Sequence, residues 1–233
     1  MKKCLLIFFL LSEACTLAKG QVSNIYVSGQ SLNDNFRLFP EKSETKIYGS
    51  PYADENWTYG RIDFYNLSEP VIDHLRLNAS TDELEIFNKG KRIAIKKPFQ
   101  VKEAHLGNRK YIYSLYVYNY GKSEYISGSY FHVVTEGKID LLKRYYCTIV
   151  NNSYAVNYMG GGGDGRNYYN LKDQLFYRTG SDETIRILPR HRKDLLKLLG
   201  SDNEKLKSYI KENHINLNTE EGIIILVAYY NSL

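Results

Sequence analysis

Cys147 is the only thiol of the chain beyond its first twenty residues, and His132 precedes it across a turn at Glu136-Gly137. A thiol and an imidazole brought face to face would supply a nucleophile and its base, the pairing of a cysteine-type hydrolase. Alternation points elsewhere. Along residues 138–150, Cys147 shares a face with Ile139, Leu141, Tyr145 and Ile149, so it reads as a small buried hydrophobe. No residue is assigned a catalytic role, and a hydrolase using His132 or Cys147 stands as the rival to a non-catalytic protein.

The remaining reactive groups are dispersed. His74, His105, His132, His191 and His214 form no HxH or HExxH spacing and have no neighbouring Cys, so no metal site is assigned. Residues 160–165, Gly-Gly-Gly-Gly-Asp-Gly, satisfy GxGxxG in letters, but the following Arg166-Asn167-Tyr168-Tyr169 carries no helical start to aim N–H groups at a phosphate. The run reads as a flexible surface loop, and no cofactor is expected. No GxSxG elbow is present. The adjacent carboxylates Asp82-Glu83 and Glu220-Glu221 fall at a turn and at a helix N-terminus, where capping and dipole effects account for them.

Tyrosine is the unusual component: 22 Tyr stand beside 9 Phe and one Trp. Tyr111, Tyr113, Tyr116 and Tyr118 fall two on each face of one strand. Ordinary cross-strand aromatic pairing is the favoured reading. The alternative is a half-exposed surface at Tyr113, Tyr116 and Tyr118 that stacks a sugar or a peptide.

These residues must be positioned by strands. Arg61 to Phe64, His74 to Leu77, Glu83 to Ile86 and Arg92 to Lys96 alternate polar with apolar, the pattern of half-buried antiparallel strands. Turn formers separate them at 68–70, 78–82, 88–90, 106–108 and 119–121, and Val133 to Val150 reads as a hairpin about Gly137. After Pro189 the period becomes helical. Leu195, Leu196, Leu198 and Leu199 predict a helix stopped by Gly200, Ser201 with Glu204 a capping box, and Asn218 with Glu221 a third helix carrying Ile223, Leu226, Val227 and Tyr230. Ile223-Ile224-Ile225 is also strand-like. The expected fold is α+β: a mostly antiparallel curved sheet or partial barrel of eight to ten strands, followed by two or three short C-terminal helices that cover one opening or face.

Met1-Lys2-Lys3, the apolar run 4–11 and the small residues Ala18 and Gly20 have the order of a secretory signal, with cleavage expected between Gly20 and Gln21. The apolar run is too short to span a bilayer, and no transmembrane segment is expected. Cys15 is not read as a lipid anchor, because Glu13 stands where such sites take a small or apolar residue. Residues 1–20 are thus a leader, 21–188 a β-rich body and 189–233 a helical segment on the same domain. The leader carries three lysines and one glutamate, so the formal charge falls from +5 to +3. Basic and acidic residues intermix, which excludes the basic stripe of a nucleic-acid surface.

Taken in order, the leader, Gly49-Ser50-Pro51-Tyr52 with Tyr59-Gly60, Leu75-Arg76-Leu77-Asn78, Asp82 to Ile86, Leu142 to Tyr146, Lys193 to Leu196 and the tail Tyr229-Tyr230-Asn231-Ser232-Leu233 form a pattern over nearly the whole mature chain. In that pattern the chain resembles a group of secreted proteins of Bacteroidota-type bacteria with no assigned activity. The resemblance implies an envelope location, periplasmic or extracellular, and no chemistry. The expected function is a non-catalytic exported protein that binds a ligand or an envelope protein partner. A purely structural envelope protein is the third reading.

Overall fold

The computed structural model describes residues 36–38, 46–152, 165–180, 182–200 and 204–233. The leader with Cys15 and the Gly20–Gln21 junction, the Gly160 to Asp164 run and the Ser201 cap lie outside the described residues.

The alternating segments become strands. In chain order they are β1 (Phe36–Leu38), β2 (Ile47–Tyr48), β3 (Thr58–Phe64), β4 (Val71–Asn78), β5 (Glu83–Asn88), β6 (Lys91–Ile95), β7 (Val101–Leu106), β8 (Arg109–Tyr120), β9 (Ser123–Thr135), β10 (Ile139–Asn151), β11 (Asn167–Thr179) and β12 (Asp182–Ile187). The helices are α1 (Arg192–Leu198), α2 (Glu204–Glu212) and α3 (Glu220–Ser232). The fold is therefore the expected α+β one, with twelve described strands instead of eight to ten. Two pairings, β8 with β12 and β2 with β11, are parallel, so the sheet is mixed. No βαβ crossover is needed, because β9, β10 and β11 return the chain to β8 by hairpins.

The first part of the sheet curls. Its order is β1-β6-β5-β4-β3-β7, so β6 and β7 lie four strand steps apart, or about 19 Å if flat. The chain between Ile95 and Val101 reaches at most about 20 Å when extended, and it contains a 3₁₀ turn at Pro98–Gln100 that shortens it. Curling brings Phe36 of β1 edge-on to Phe64 of β3, with ring centroids 5.7 Å apart. The enclosed core includes Ile62, Leu75, Leu84, Ile86 and Ile93, and Tyr111 and Tyr130 close it.

The second part closes on itself. β8 pairs with β9 and also with β12, so β8-β12-β11-β10-β9 is a five-stranded ring. Each strand contributes one buried side chain to the interior, Tyr116, Phe131, Leu142, Phe176 and Ile185, with Ile112, Tyr118 and Val133 packed against them. The three aromatic rings meet edge to face at 5.1–5.7 Å, so the ring is filled by packing. The β8–β9 hairpin is a wall common to both cores. Tyr113 and Tyr130 pair on the face toward the curled sheet, while Ile112 and Phe131 pair on the face toward the ring.

Beyond Lys143 the ring splits. The ladder between β9 and β10 runs only over Leu141↔Thr135, Leu142↔Val133 and Lys143↔His132. The turn between β4 and β5 fills the gap above it. Ala79 accepts a hydrogen bond from the Cys147 N–H at 2.9 Å, and the Asp82 carboxylate accepts one from the Tyr130 N–H at 3.3 Å. Asn78 Oδ1 holds this turn through the N–H groups of Ser80 and Thr81.

The helices pack on the outer face of the ring. Leu195, Leu206, Ile210, Leu226 and Val227 share a cluster with Ile139 and Leu141 of β10. Gly200, with φ at +84°, ends the first helical turn as expected. The third helix is capped by Thr219, one residue after the expected Asn218, and the Thr219 hydroxyl accepts the Gly222 N–H at 3.2 Å. Glycine is required there, because a Cβ on residue 222 would stand 2.0 Å from the Asn216 carbonyl oxygen. Near the end of α3, Asn231 accepts the Ile139 N–H at 3.0 Å and donates to the Ile139 carbonyl at 2.8 Å. Its side chain thereby supplies both bonds that a neighbouring strand would give. Among the described residues no helix is long and apolar enough to cross a membrane.

Candidate functional site

The three tyrosines singled out by sequence do not form one surface. Tyr116 is 7% exposed and lies in the ring interior. Tyr118 is half-buried against the same cluster and stacks on Tyr125 at 5.6 Å. Tyr113, on the opposite face, borders a pocket.

That pocket, of about 390 Å³, lies where β1, β6 and the β4–β5 turn meet the β8–β9 hairpin. Arg37, Thr81, Asp82, Glu83, Ile95, Lys96, Pro98, Tyr113 and Gly128 line it. Tyr113 packs edge to face on Tyr130 at 5.2 Å. Its hydroxyl lies directly over Gly128, where an added Cβ would sit 2.1 Å from it, so the glycine makes room for the phenol at the pocket wall.

Oxygen atoms collect on one side. Asp82 takes φ of +53°, which turns its side chain out of the β5 alternation toward Tyr130 and Ser129. Burial raises its pKa, against the lowering effect of hydrogen bonds from Ser129 and the Tyr130 N–H and of Arg144, and Glu83 adds to the rise. Arg144 Nε donates to Ser129 Oγ at 2.7 Å, which fixes that chain of partners. Glu83 bonds Arg37 through Oε1, while its Oε2 is buried with no partner. The Tyr130 hydroxyl is likewise buried with no partner. Burial raises the Tyr130 pKa well above the phenol value, with Asp82, Tyr113 and Glu83 adding to the effect, and all three of those residues line the pocket. Lys96 and Arg37 bring positive charge to the same lining.

No family model, curated protein or solved structure matches the chain. The site must therefore be read from its own chemistry. The pocket combines a few convergent polar groups with a carboxyl whose pKa burial raises.

The rival pair is not assembled. His132 faces Lys143 across the β9–β10 ladder, and Cys147 lies four residues farther along β10, or about 13 Å away. Burial raises the Cys147 pKa, and its Sγ contacts the Thr148 carbonyl at 3.8 Å. His132 packs on Tyr111, and its Nδ1 is buried with no partner. Burial lowers its pKa to about 4, with Arg109 and Lys143 contributing in the same direction. Among the described residues no three His, Cys, Asp or Glu side chains gather as metal ligands.

His132 has a measurable consequence. An imidazole whose folded pKa lies below its unfolded value stabilises the fold above pH 6.5 and loses that contribution as pH falls toward 4, since the unfolded chain then binds the proton more readily. Unfolding free energy is expected to fall by about 1–2 kcal/mol over that interval after allowance for solvent screening. His132→Phe should flatten this part of the curve. Urea titrations at pH 7, 5.5 and 4.5 with parallel slopes for both proteins would contradict the assignment.

Asp82 and Glu83 fall at the turn that their spacing predicts. The turn accounts for their backbone but not for the partners of their carboxyl groups. The pocket also depends on Ser129, Tyr130 and Arg144, each more than 45 residues away, and no local spacing joins them.

Proposed function

We propose that this protein is an exported, non-catalytic envelope protein that binds a small polyhydroxylated ligand, such as a mono- or disaccharide, in the pocket between Tyr113 and the Asp82-Glu83 turn. The leader pattern at residues 1–20 and the resemblance to secreted bacterial proteins support export. One observation carries the binding reading: Glu83, whose Oε2 is buried without a partner, stands in the lining of the pocket. An orphaned buried acceptor costs about 1–3 kcal/mol, and a sugar hydroxyl offers the donor that Glu83 lacks. Tyr113 adds an aromatic ring to the lining, the kind of group on whose face sugars pack.

Glu83→Gln tests the contact. Replacing the charged acceptor by an amide of the same shape should weaken sugar binding about tenfold, the loss of one charge-assisted hydrogen bond. Gly128→Ala should weaken binding as well, by displacing the Tyr113 hydroxyl. The probes are a panel of neutral mono- and disaccharides followed by calorimetry and by amide shifts of residues 81–83, 113 and 128. The reading fails if no sugar moves those resonances, or if both variants bind as the parent does.

A further inference from the structure

A second cavity, of about 140 Å³, lies on the other side of Leu77, between the segment after β2 and the β7–β8 turn. Asp54, Asn56, Arg76, Asn108, Arg109 and Tyr111 give it its polar lining. Space of this size holds several waters or one small ion with part of its hydration shell. Its arginines are unequally satisfied. Arg76 bonds Glu85 at 3.2 Å and the Glu55 carbonyl at 3.4 Å, but its Nε–H is buried with no acceptor. Arg109 is half-buried, bonds the Tyr111 phenol, and has no carboxylate within ion-pair reach among the described residues. Asp54 borders the same space, with one oxygen engaged by the Asn56 N–H at 3.1 Å in its own loop. Glu85 is bonded by Arg76 and lies 3.7 Å from Arg92. Arg76, Arg92 and Arg109 against Asp54 and Glu85 leave one net positive charge; Arg76 and Arg92 share Glu85, and Arg109 feels Asp54 through space without an ion pair among the described residues.

We propose that this cavity is a site for a small oxyanion, a carboxylate or phosphate group, held by the Arg109 guanidinium with amide donors from Asn56 and Asn108. A planar fork of N–H donors matches two oxygens of such a group better than it matches one spherical halide, and the amides can add further donors. The site is independent of the sugar pocket, sharing no lining residue with it. His132 reports on its occupancy. It packs on Tyr111 at 5.4 Å and is held neutral in part by Arg109, so an anion on Arg109 removes repulsion and moves the imidazole titration upward.

The test uses the whole protein with sodium phosphate, sodium sulfate and sodium acetate, each against sodium chloride at matched ionic strength. Melting temperature and the His132 ring resonances are followed together. The expected result is a saturable stabilisation by at least one oxyanion, absent with chloride, and a rise of the His132 midpoint from about 4. Arg109→Gln should remove the saturable response by more than tenfold in apparent affinity, and Arg109→Lys should retain part of it. If Arg109→Gln does not fold, Asn56→Leu on the exposed loop fills the cavity mouth and should remove the response alone. Equal effects of oxyanions and chloride, or unchanged binding in whichever of these variants folds, would overturn the proposal.

Discussion

Glu85→Ala is expected to cost about 3–5 kcal/mol of folding free energy. Glu85 is 0% exposed although it stands on the outer face of β5. It accepts hydrogen bonds from Asn78 Nδ2 at 3.0 Å and Arg76 Nη2 at 3.2 Å, with Arg92 Nε at 3.7 Å. The Arg76 guanidinium in turn lies 3.3 Å from the Tyr52 ring centroid and 4.1 Å from that of Trp57. Removing the carboxylate leaves a cation enclosed by aromatic rings with its counter-charge gone, and the cation cannot swing into water without opening the strap at 51–57. The loss belongs to the orphaned charge and not to the pair. Arg76→Met combined with Glu85→Leu should therefore recover most of it. Urea unfolding of the parent, both single variants and the double variant gives the coupling energy directly. A Glu85→Ala loss below 1 kcal/mol, or a double variant no better than the single, would show that the strap does not seal the pair.

Gly60→Ala should be comparably severe for a reason with no electrostatics in it. A Cβ at residue 60 would lie 2.2 Å from the His105 carbonyl oxygen and 2.8 Å from Leu75 Cδ1. β3 cannot retreat, because Gly60 is paired with Asp73 of β4 on one side and Leu106 of β7 on the other. Relief requires breaking ladder bonds in the middle of the curled sheet, so a loss of at least about 3 kcal/mol or failure to fold is expected. Gly90→Ala is the matched control. Gly90 takes φ of +77° with nothing within 4 Å of an added Cβ, so only the left-handed backbone is penalised, by about 1–2 kcal/mol. Circular dichroism and urea midpoints of the two variants should differ widely; equal midpoints would mean that the close approach at Gly60 is relieved cheaply.

Glu85 also shows what alternation can and cannot reveal. Period two correctly sets Leu84 and Ile86 inward and Glu85 outward, because the inner face of each strand meets a core of its own sheet. It is silent about the outer face, which the segment 51–57 covers from a distance of some thirty residues. The tyrosines of β8 fail to reveal themselves for a related reason. Two on each face was legible, but each face meets a different core, so Tyr116 is enclosed where a surface residue was an open reading. The third helix illustrates the opposite case. Ile223-Ile224-Ile225 favours a strand locally, and Thr219 with the close passage of Gly222 past Asn216 decides for helix. The oxygen cluster at the pocket was the least legible feature, since it is assembled only when one turn enters the gap between two strands.

The two hydrogen bonds from Asn231 to Ile139 join positions 92 residues apart. Closing a loop of that length costs roughly 4 kcal/mol of chain entropy, more than two such bonds return in water. They cannot start folding. They form once α3 is already seated on β10, and the hairpin made long before carries an open ladder position in the meantime. Asn231 is thus a latch that is set last, and its loss should speed unfolding while leaving the refolding rate almost untouched.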